Sequence, residues 1–464
     1  MHPAFSPSIN PAVVRAYDIR GRVGAQLGQA DAHALGLAYA GMARSRGKRS
    51  IAVCRDGRLT SPALESALVS GLVAGGMDVR CLGLGPTPQL YFAVASARLD
   101  GGIMVTGSHN PPDQNGFKLV FAGEPVCGVA LQHLVASPAS AADGGSTSNL
   151  ELGALDPATA YVQRLADMGS RAPALHVVWD CGNGAVGAVI GALTGRLPGR
   201  HTLLNATVDG HFPAHHPDPA VADNLRQLQT AVIARRADIG IAFDGDGDRI
   251  GVVDAEGLIV WPDQLLLLLA LEALHSQRGA AVVADVKSSR VLFDEIQRCG
   301  GRAVMAPSGY VRVRASMLKE RAPLAGEMSG HIFYADCWHS TDDALFVAIR
   351  VLLALGRRGR SLAEFRHSLP VTAATPELRI SCPEDRKEQV IREVGERLVS
   401  TRGTRIDRTD GLRVTTADGW WLLRASGTEP KLTARCEGAD EAALASLRNT
   451  LQTQLTLSGI SCPV

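Results

Sequence analysis

Short apolar runs alternate with segments of helical periodicity along most of the chain. Three of the runs, at 50–54, 175–179 and 281–284, have the length of buried β-strands and end at polar turns that contain aspartate. A helical pattern follows each of these strands, at 62–74, 185–193 and 291–298. Strand, turn and helix in this order begin a βαβ unit, so the pattern predicts an internal repeat of three similar α/β units.

Each predicted unit continues with a second apolar strand that runs into a polar loop. These loops are Thr-Gly-Ser-His-Asn-Pro-Pro at 106–112, Asp-Gly-Asp-Gly-Asp-Arg at 244–249 and Gly-Glu-Met-Ser-Gly-His at 326–331. Ligands of α/β sheets bind outside the carboxyl ends of the strands. We therefore expect the three loops to face one binding cleft.

The pattern changes after residue 377, where strand-like runs lie between two helical segments. This arrangement is typical of a small α+β domain with an antiparallel sheet. A stretch at 136–149 is rich in Ala, Ser and Gly, which is the composition of a linker. The sequence thus predicts three similar mixed α/β domains and a C-terminal α+β domain around a central cleft. The predicted domains are 1–153, 154–257, 258–370 and 371–464.

Composition and charge narrow the class of protein. The 464 residues are 46% hydrophobic and 20% charged, which is ordinary for a globular protein. A formal net charge of +1 gives no reason to expect nucleic acid or a membrane surface as a partner. The most apolar run, at 265–274, contains Glu272 and is too short to cross a bilayer, so it predicts a buried helix. No signal-peptide pattern opens the sequence and the nine cysteines include no C-x-x-C pair, which favours a cytoplasmic protein with reduced thiols.

The loop at 106–112 predicts a displayed nucleophile. Pro111 and Pro112 prevent the chain from continuing as a strand or helix, and they leave a stiff turn with the Ser108 hydroxyl beside the His109 imidazole. A hydroxyl next to an acid–base group is a common arrangement for nucleophilic catalysis. Lys118 is close enough in sequence to bring a positive charge to the same turn.

The loop at 244–249 predicts a metal site. Asp244, Asp246 and Asp248 stand at alternate positions, so their carboxylates can converge on one hard cation. Mg²⁺ suits this set because it binds a few carboxylates together with phosphate oxygens and water. An EF-hand is excluded, since its sixth position needs glycine and is Arg249, and its twelfth needs glutamate and is Ala255.

Two further segments predict ligand contacts. Glu327 can accept hydrogen bonds from sugar hydroxyls, and His331 can donate one or act as a proton shuttle. The segment at 424–428 combines an arginine, two hydroxyl side chains and backbone N–H groups around a glycine, which together can cradle a phosphate.

One alternative is an NAD-dependent enzyme. Gly-Asn-Gly-Ala-Val-Gly at 182–187 matches the dinucleotide-binding fingerprint between a strand and a helix, and Asp209 lies where the ribose-binding acid is expected. This alternative leaves the loops of Ser108, Asp244 and Arg424 without a function.

Five motifs make the chain resemble the α-D-phosphohexomutase superfamily, in particular its bacterial phosphomannomutase/phosphoglucomutase branch. They lie at 17–21, 106–118, 244–249, 326–331 and 424–430, and the resemblance covers essentially the whole chain. It implies reversible phosphoryl transfer between C1 and C6 of mannose and glucose phosphates through phospho-Ser108 and a hexose 1,6-bisphosphate intermediate. The implied cofactors are Mg²⁺ and, as activator, glucose 1,6-bisphosphate.

The resemblance also implies roles for individual residues. Lys118 is the first candidate for proton transfer, with Arg20 as charge stabiliser. The full catalytic set is expected to be Ser108, Lys118, Arg20, His109 and Arg249. The metal ligands are expected to be Ser108, Asp244, Asp246 and Asp248. The substrate-binding residues are expected to be Tyr17, Lys287, Gly309, Tyr310, Glu327, Ser329, His331, Arg424, Ser426, Gly427 and Thr428.

Two departures from the family pattern leave the sugar open. Tyr310 stands where the family usually has histidine, so a phenol replaces a titratable imidazole. Gly-Thr-Glu-Pro at 427–430 is closer to the phosphate loop of phosphoglucosamine mutases, which keeps glucosamine phosphate as an alternative substrate, although Met328 argues against it. A non-catalytic homologue that only binds sugar phosphates is a further alternative, against which the intact Ser108 speaks. The expected partners are small hexose phosphates, without nucleic acid or membrane, and the expected state is a monomer.

Overall fold

The structure is a computed structural model that describes residues 9–137, 156–335, 338–399, 403–427 and 430–461. The described chain divides into two compact units. The first unit contains the residues up to Leu269 and the segment Ser329–Glu364. The second unit contains Ala270–Met328 and the residues from Phe365 onward.

The first sheet lies in the N-terminal part of the first unit. Its elements are β1 (Ile19–Arg22), α1 (Gln29–Arg44), β2 (Ser50–Arg55), α2 (Ser61–Ala74), β3 (Asp78–Leu84), α3 (Thr87–Ser96), β4 (Gly101–Val105), β5 (Gln114–Phe121), β6 (Glu124–Pro125) and α4 (Gly128–Ala136). The strand order is β1-β5-β4-β2-β3, with β6 beside β5. Strands β2, β3 and β4 are parallel, whereas β5 is antiparallel to β4 and β1. Strand β4 is buried along its whole length, as expected for a central strand of an α/β sheet.

The second sheet also belongs to the first unit. Its elements are α5 (Pro157–Gly169), β7 (Leu175–Asp180), α6 (Gly187–Thr194), β8 (Gly199–Leu204), α7 (Arg226–Arg235), β9 (Ile239–Phe243), β10 (Ile250–Asp254) and β11 (Ile259–Val260). The order is β11-β10-β9-β7-β8, with β7, β8 and β9 parallel and β10 antiparallel to β9. Strand β9 is fully buried, and its hairpin with β10 carries the aspartate loop.

A third group of elements follows α8 (Pro262–Ser276), which contains the apolar run predicted to be a buried helix. In the second unit, β12 (Ala281–Asp285), α9 (Arg290–Arg298), β13 (Arg302–Ala306), α10 (Tyr310–Lys319) and β14 (Leu324–Gly326) form a parallel arrangement with β12 between β13 and β14. The chain returns to the first unit with β15 (Ile332–Tyr334) and α11 (Ala344–Arg358), which α12 (Leu362–His367) follows.

The C-terminal elements form an antiparallel sheet in the second unit. They are β16 (Ala373–Ala374), β17 (Leu378–Ser381), α13 (Lys387–Leu398), β18 (Arg405–Asp407), β19 (Leu412–Thr415), β20 (Gly419–Ala425), β21 (Lys431–Gly438) and α14 (Glu441–Leu457). Neighbouring side chains on β20 point to opposite faces. Trp421 packs into the core of this domain, while Trp420 packs against Val286, which follows β12. The two faces of β20 thus join this domain to the preceding α/β elements.

The predicted fold class of three similar mixed α/β domains and a C-terminal domain with an antiparallel sheet is confirmed. The parallel strands of the three α/β domains follow the same spatial order, β4-β2-β3, β9-β7-β8 and β14-β12-β13, which is the predicted internal repeat. The three boundaries between the four predicted domains stay predictions, and the first, between residues 153 and 154, falls outside the described residues. None of the described helices combines the length and the apolar character that a membrane crossing requires.

Candidate active site

Ser108 lies on a tight turn directly after β4. Its φ of 49° is in the left-handed region, which costs a residue with a side chain about 1–2 kcal/mol. Its backbone N–H donates to Thr106 Oγ1 at 2.7 Å, and that hydroxyl donates to Asp56 Oδ2 at 2.8 Å. A buried polar network therefore holds Ser108 in a strained conformation.

Arg58 holds the same turn through its backbone carbonyls. Its Nη2 donates to Ser108 O at 2.8 Å, and its Nη1 donates to Pro111 O at 2.6 Å and Gln114 O at 2.8 Å. The buried guanidinium also pairs with Asp56, at 3.2 Å from Nε to Oδ2. A rigid fork of donors is suited to several carbonyls at once. This contact could not be predicted from the sequence, because nothing near Arg58 in the sequence indicates that it binds the turn of Ser108.

The aspartate loop between β9 and β10 reaches the Ser108 turn. Asp244 Oδ2 accepts a hydrogen bond from Ser108 Oγ at 2.9 Å. Gly245 permits this approach, because a Cβ at that position would lie 2.3 Å from Ser108 O. The other Asp244 oxygen accepts from three backbone N–H groups of the loop, those of Gly247, Asp248 and Arg249 at 2.9, 3.1 and 3.2 Å.

The three buried carboxylates of the loop repel one another. Burial and the charges of Asp248 and Asp246 hold the pKa of Asp244 well above its usual range, and burial and Asp246 also raise the pKa of Asp248. At Asp246, the cost of burial is outweighed by the Lys118 ammonium and by hydrogen bonds from Lys118 and Thr87, so its pKa is lowered. The cluster therefore has an excess of negative charge that a further cation would stabilise.

The residues present fit a Mg²⁺ ion. The three aspartates offer one oxygen each, and these oxygens lie within 4.8 Å of one another. Asp246 Oδ1 and Asp248 Oδ1 are buried and have no hydrogen-bond partner among the described residues. Buried oxygens without a partner are costly, and an all-oxygen set of this kind is what Mg²⁺ prefers.

Lys118 approaches the aspartate loop from β5. Its Nζ forms ion pairs with Asp246, at 2.7 Å, and with Asp248. Burial disfavours the charged ammonium, but the two carboxylates outweigh this effect and raise the pKa of Lys118. The sequence pattern did not show β5 as a strand, since Asn115 and Gly116 at its start and Lys118 in its middle interrupt the apolar run.

The other three predicted catalytic residues also lie near Ser108 or the aspartate loop. Arg20, on β1, pairs with Asp18 at 2.8 Å and donates to the Gly107 carbonyl. His109 Nδ1 lies 3.2 Å from Ser108 Oγ, and burial together with the charges of Arg249 and Arg20 lowers the pKa of His109. The structure thus brings together all five side chains of the predicted catalytic set, while their individual roles stay predictions.

His331 lies beside the aspartate loop. Its Nε2 accepts from Arg249 Nε at 2.9 Å, and its Nδ1 lies 2.7 Å from Asp342 Oδ2 and 3.6 Å from Asp248 Oδ1. The sequence pattern predicts His331, near Glu327, as a sugar contact or a proton shuttle. The structure instead groups it with the reacting centre, since the chain passes from the second unit to the first between Met328 and Ser329.

Two more predicted substrate contacts belong to the first unit. Tyr17 is half-buried just before β1, and Ser329 is half-buried before Gly330, whose carbonyl accepts from Ile250 N at 3.2 Å. Contact of either residue with a substrate stays a prediction.

In the second unit, Glu327 and Gly309 are adjacent, with Gly309 N donating to Glu327 Oε2 at 2.9 Å. Tyr310 is the first residue of α10. Lys287 Nζ pairs with Glu377 at 3.0 Å. Burial opposes the ammonium charge, but Glu377 and a second carboxylate raise the pKa of Lys287 overall. Four predicted substrate contacts therefore lie near one end of the β12–β14 arrangement.

The predicted phosphate cradle is the hairpin between β20 and β21. Arg424 Nε donates to Asp410 Oδ2 at 2.7 Å. Ser426 is buried and Gly427 is exposed, while Thr428 lies outside the described residues. Sequence analysis missed Asp410, although Asp-Gly at 410–411 before a strand is a turn signal that marks its position.

The glycine-rich run at 182–187 is part of the packing of the second sheet. Asn183 N donates to Asn205 O at 2.9 Å, and Ala185 N donates to Gly245 O at 2.9 Å. The run therefore supports the aspartate loop. Asp209, predicted as a ribose contact in the dinucleotide alternative, accepts from the backbone N–H of His211 at 2.9 Å.

Four family models match the chain in order along its length. They are the alpha/beta/alpha domains I, II and III of phosphoglucomutase/phosphomannomutase at residues 12–130, 159–257 and 261–372, and the C-terminal domain at 377–453. The chain belongs to the phosphoglucomutase/phosphomannomutase family. It is an enzyme of phosphoryl transfer between hexose phosphates. Membership of the phosphoglucomutase/phosphomannomutase family leaves the NAD-dependent alternative without support.

Individual relatives of this family agree with the assignment. The phosphomannomutase/phosphoglucomutase of Pseudomonas aeruginosa is 39% identical over 467 residues and is matched over 100% of both chains. The crystal structure of a phosphoglucomutase/phosphomannomutase family protein from Burkholderia thailandensis has a TM-score of 0.90 at 37% identity, covering 98% of this chain and 99% of that one. A probable phosphoglucosamine mutase of Methanopyrus kandleri is 34% identical over 439 residues, covering 93% of this chain and 95% of the relative.

Proposed function

We propose that the enzyme reversibly interconverts the 1- and 6-phosphates of mannose and glucose through phospho-Ser108 and a hexose 1,6-bisphosphate. The observation that carries this proposal is the 2.9 Å contact between Ser108 Oγ and Asp244 Oδ2 inside a buried cluster of three aspartates. A hydroxyl held on a strained turn beside a site that fits a hard cation is suited to accept and donate a phosphoryl group.

The proposed reaction has two transfers. In the first, the bond between phosphorus and Ser108 Oγ breaks, a bond forms from phosphorus to the free sugar hydroxyl, and the proton of that hydroxyl passes to a protein base. After the bisphosphate turns over, its other phosphoryl group returns to Ser108 and the proton is given back to the sugar. Lys118 is the first candidate for the proton transfer, in which it acts as the base once its ammonium has passed a proton to a paired aspartate, and His331, held by Arg249 and Asp342, is the second.

Charge stabilisation falls to groups around Ser108. When bound, Mg²⁺ supplies a Lewis acid that neutralises charge on the phosphoryl oxygens, with Asp244, Asp246 and Asp248 as its protein ligands. Arg20 adds a fixed positive charge, since its contacts with Asp18 and Gly107 hold it beside the Ser108 turn.

The non-reacting parts of the substrate are proposed to bind in the second unit. Arg424, Ser426, Gly427 and Thr428 bind the second phosphate, because an arginine with backbone and hydroxyl donors recognises a phosphate in either orientation of the sugar. The sugar hydroxyls are proposed to be read there by Lys287, Gly309, Tyr310 and Glu327. Ser329 and Tyr17 are proposed as further contacts.

The name of the Pseudomonas relative supports mannose and glucose as the sugars. Glucosamine phosphate is the second candidate, supported by Gly-Thr-Glu-Pro at 427–430 and by the name of the Methanopyrus relative.

We further propose glucose 1,6-bisphosphate as activator, since it can phosphorylate Ser108. We also propose a cytoplasmic monomer that supplies precursors of surface polysaccharides; the seven described cysteines, all free thiols, support the reducing compartment.

The test is mutase turnover with Mg²⁺ and glucose 1,6-bisphosphate on three substrates: mannose 1-phosphate, glucose 1-phosphate and glucosamine 1-phosphate. We expect comparable mannose and glucose rates that fall by about a thousandfold or more in Ser108→Ala, because the nucleophile is lost. Ser170→Ala, which removes an exposed hydroxyl after α5, is the matched control and should retain full activity. Turnover of glucosamine phosphate alone would overturn the sugar assignment, and undiminished turnover by Ser108→Ala would overturn the mechanism.

A further inference from the structure

Asp410 lies in a turn that places its carboxylate beside Arg424. The turn joins β18 to β19, and Leu412 at the start of β19 pairs with Leu423 on β20. Gly411 has a φ of 78°, and a Cβ there would lie 2.3 Å from Leu423 O and 2.8 Å from Arg424 Cα. Only glycine fits this conformation and this approach, so the Asp-Gly pair places the Asp410 carboxylate against the arginine.

The Asp410 carboxylate accepts from three donors, one on β20, one in the loop after β13 and one on α10. Asp410 Oδ2 accepts from Arg424 Nε at 2.7 Å and from Ser308 N at 3.1 Å, and Oδ1 accepts from Arg312 Nη1 at 3.2 Å. The side chains of Asp410 and Arg424 are each only 12% exposed, so water screens their interaction weakly. A hydrogen bond between two buried charged groups fixes geometry more strongly than a surface ion pair does.

Ser308 extends this contact to the loops proposed to read the sugar. Its Oγ donates to Asp285 Oδ2 at 2.7 Å, and Asp285 Oδ1 accepts from Met328 N at 3.3 Å. The next residue after Ser308 is Gly309, whose N–H donates to Glu327. Asp410 is therefore the shared partner of the phosphate-binding arginine and of the segment that holds Glu327.

We propose that Asp410 is a positioning residue that orients Arg424 for the second phosphate of the substrate and fixes it relative to the sugar-reading segment. This inference rests on the proposed function. Arg424 is held at Nε by Asp410 and at Nη1 by Thr433 Oγ1, at 3.3 Å. These two contacts set the plane of the guanidinium, and bidentate recognition of a phosphate depends on that plane. Without Asp410, the arginine has to be ordered when the ligand binds, which lowers affinity.

The inference is tested by calorimetric binding of glucose 1-phosphate to the full-length protein. The variants are Asp410→Asn, Arg424→Ala and the double variant. Asp407→Asn is the matched control, because Asp407 ends β18 just before the same turn and, among the described residues, its carboxylate accepts a hydrogen bond only from Thr409 N, at 2.8 Å. We expect the dissociation constant to rise about tenfold in Asp410→Asn, the usual size of losing one charged hydrogen bond, and to be unchanged in Asp407→Asn.

The double variant separates positioning from general destabilisation. If Asp410 acts through Arg424, the double variant binds no more weakly than Arg424→Ala alone, whereas independent effects would multiply. A multiplied loss, or an equal loss in Asp407→Asn, would overturn the inference. Should Asp410→Asn fail to fold, Asp410→Glu keeps the charge but displaces it, and the same loss of affinity is expected.

Mutase turnover of the same proteins distinguishes the two proposals. If the wild-type enzyme turns over hexose phosphates and Asp410→Asn binds as tightly as wild type, the positioning inference fails and the proposed function stands. If the wild-type protein binds glucose 1-phosphate but shows no turnover, the proposed function fails. In the expected case, Asp410→Asn raises KM about tenfold with a smaller change in kcat, because the reacting centre around Ser108 keeps its own contacts.

Discussion

The centre around Ser108 and the loops around Arg424 hold their side chains in different ways. Ser108 and the three aspartates are at most 2% exposed, and each is held by at least two neighbouring groups, such as Thr106 and Arg58 at Ser108 and the loop N–H groups at Asp244. Arg424 and Lys287 are 12% and 14% exposed at their side chains, and each depends on one close carboxylate partner, Asp410 or Glu377. The proposed reacting group is therefore fixed within the folded protein, whereas each cation proposed to bind the substrate is oriented mainly by one close carboxylate.

The largest effect should come from replacing a carboxylate of the buried cluster. In Asp244→Asn the three backbone N–H contacts can persist, but one metal ligand and one negative charge are lost. We expect activity to fall by more than about a hundredfold, since even changes outside the first ligand shell cost up to that much. Because like charges no longer repel, the melting temperature in EDTA should exceed that of wild type, and Mg²⁺ should raise it less.

Asp254→Asn is the control for that variant. Asp254 is buried and accepts from the backbone N–H groups of Glu256 and Leu258 at 2.9 and 3.0 Å in the next turn of the same sheet. The Asp254→Asn variant should keep the wild-type activity and the wild-type increase of its melting temperature with Mg²⁺. A lower melting temperature of Asp244→Asn in EDTA, or an undiminished response to Mg²⁺, would contradict the view that the cluster is built for a cation.

A smaller effect is expected at Arg58, which tests whether the Ser108 turn is preorganised. Arg58→Lys cannot serve all the carbonyls that the guanidinium serves, so the turn should relax. We expect kcat to fall about tenfold with little change in KM, and the free energy of unfolding to fall by about 2 kcal/mol. The control is Arg55→Lys, which changes the last residue of β2; Arg55 pairs with Glu65 of α2 at 2.9 Å, and this variant should behave as wild type. Equal losses in kcat for Arg58→Lys and Arg55→Lys would contradict a specific role of Arg58 in holding the Ser108 turn.

The smallest effect is expected in the second unit, at the partner of Lys287. Glu377→Gln should raise KM about threefold and leave kcat within about twofold, because an ion pair that orients one cation is weakened. Glu393→Gln, which changes a partly exposed pair with Arg386 at 3.4 Å, is the control and should change neither constant. A kcat effect larger than the KM effect would place Glu377 with the reacting centre.

The pH dependence of that effect follows from the two pKa shifts. Burial raises the pKa of Glu377, but the Lys287 charge outweighs it and the pKa is lowered, so the pair is lost only as the pH falls through that depressed value. The pKa of Lys287 is raised, so its charge is present below the ordinary lysine value and lost only as the pH rises through the raised one. The ratio of the KM values of Glu377→Gln and wild type should therefore be constant between about pH 6 and pH 9.

The sequence predicted the elements that have a clear pattern of apolar and polar residues. Strand β9 and the three parallel strand–helix units were predictable because their apolar runs are uninterrupted and end at polar turns. Strand β5 was not, because it places Lys118 among apolar residues, and that lysine is tolerated there only by ion pairs with Asp246 and Asp248. A charge whose partners are more than a hundred residues away leaves no local signal.

The same limit applies to the site. Ser108 and the three aspartates were predictable as candidates because each loop by itself shows its chemistry. The loop at 106–112 places a hydroxyl beside an imidazole, and the loop at 244–249 has carboxylates at alternate positions. Arg58 and Asp410 could not be predicted because each contacts a segment that is distant in sequence. Arg58 binds Ser108, which lies 50 residues away, and Asp410 binds Ser308, which lies 102 residues away. His331 was grouped with Glu327 by proximity in sequence, but its contacts are to Arg249 and Asp342. Positioning residues are recognised only when the tertiary contacts are known.

Whether Ser108 carries the phosphoryl group through the reaction can be tested in a single turnover. Enzyme labelled with ³²P from glucose 1,6-bisphosphate is mixed with excess unlabelled glucose 1-phosphate and quenched at successive times. We expect the label to leave the Ser108 peptide and to enter the hexose phosphates within the first turnover. Product that accumulates while the label stays on Ser108 would contradict it.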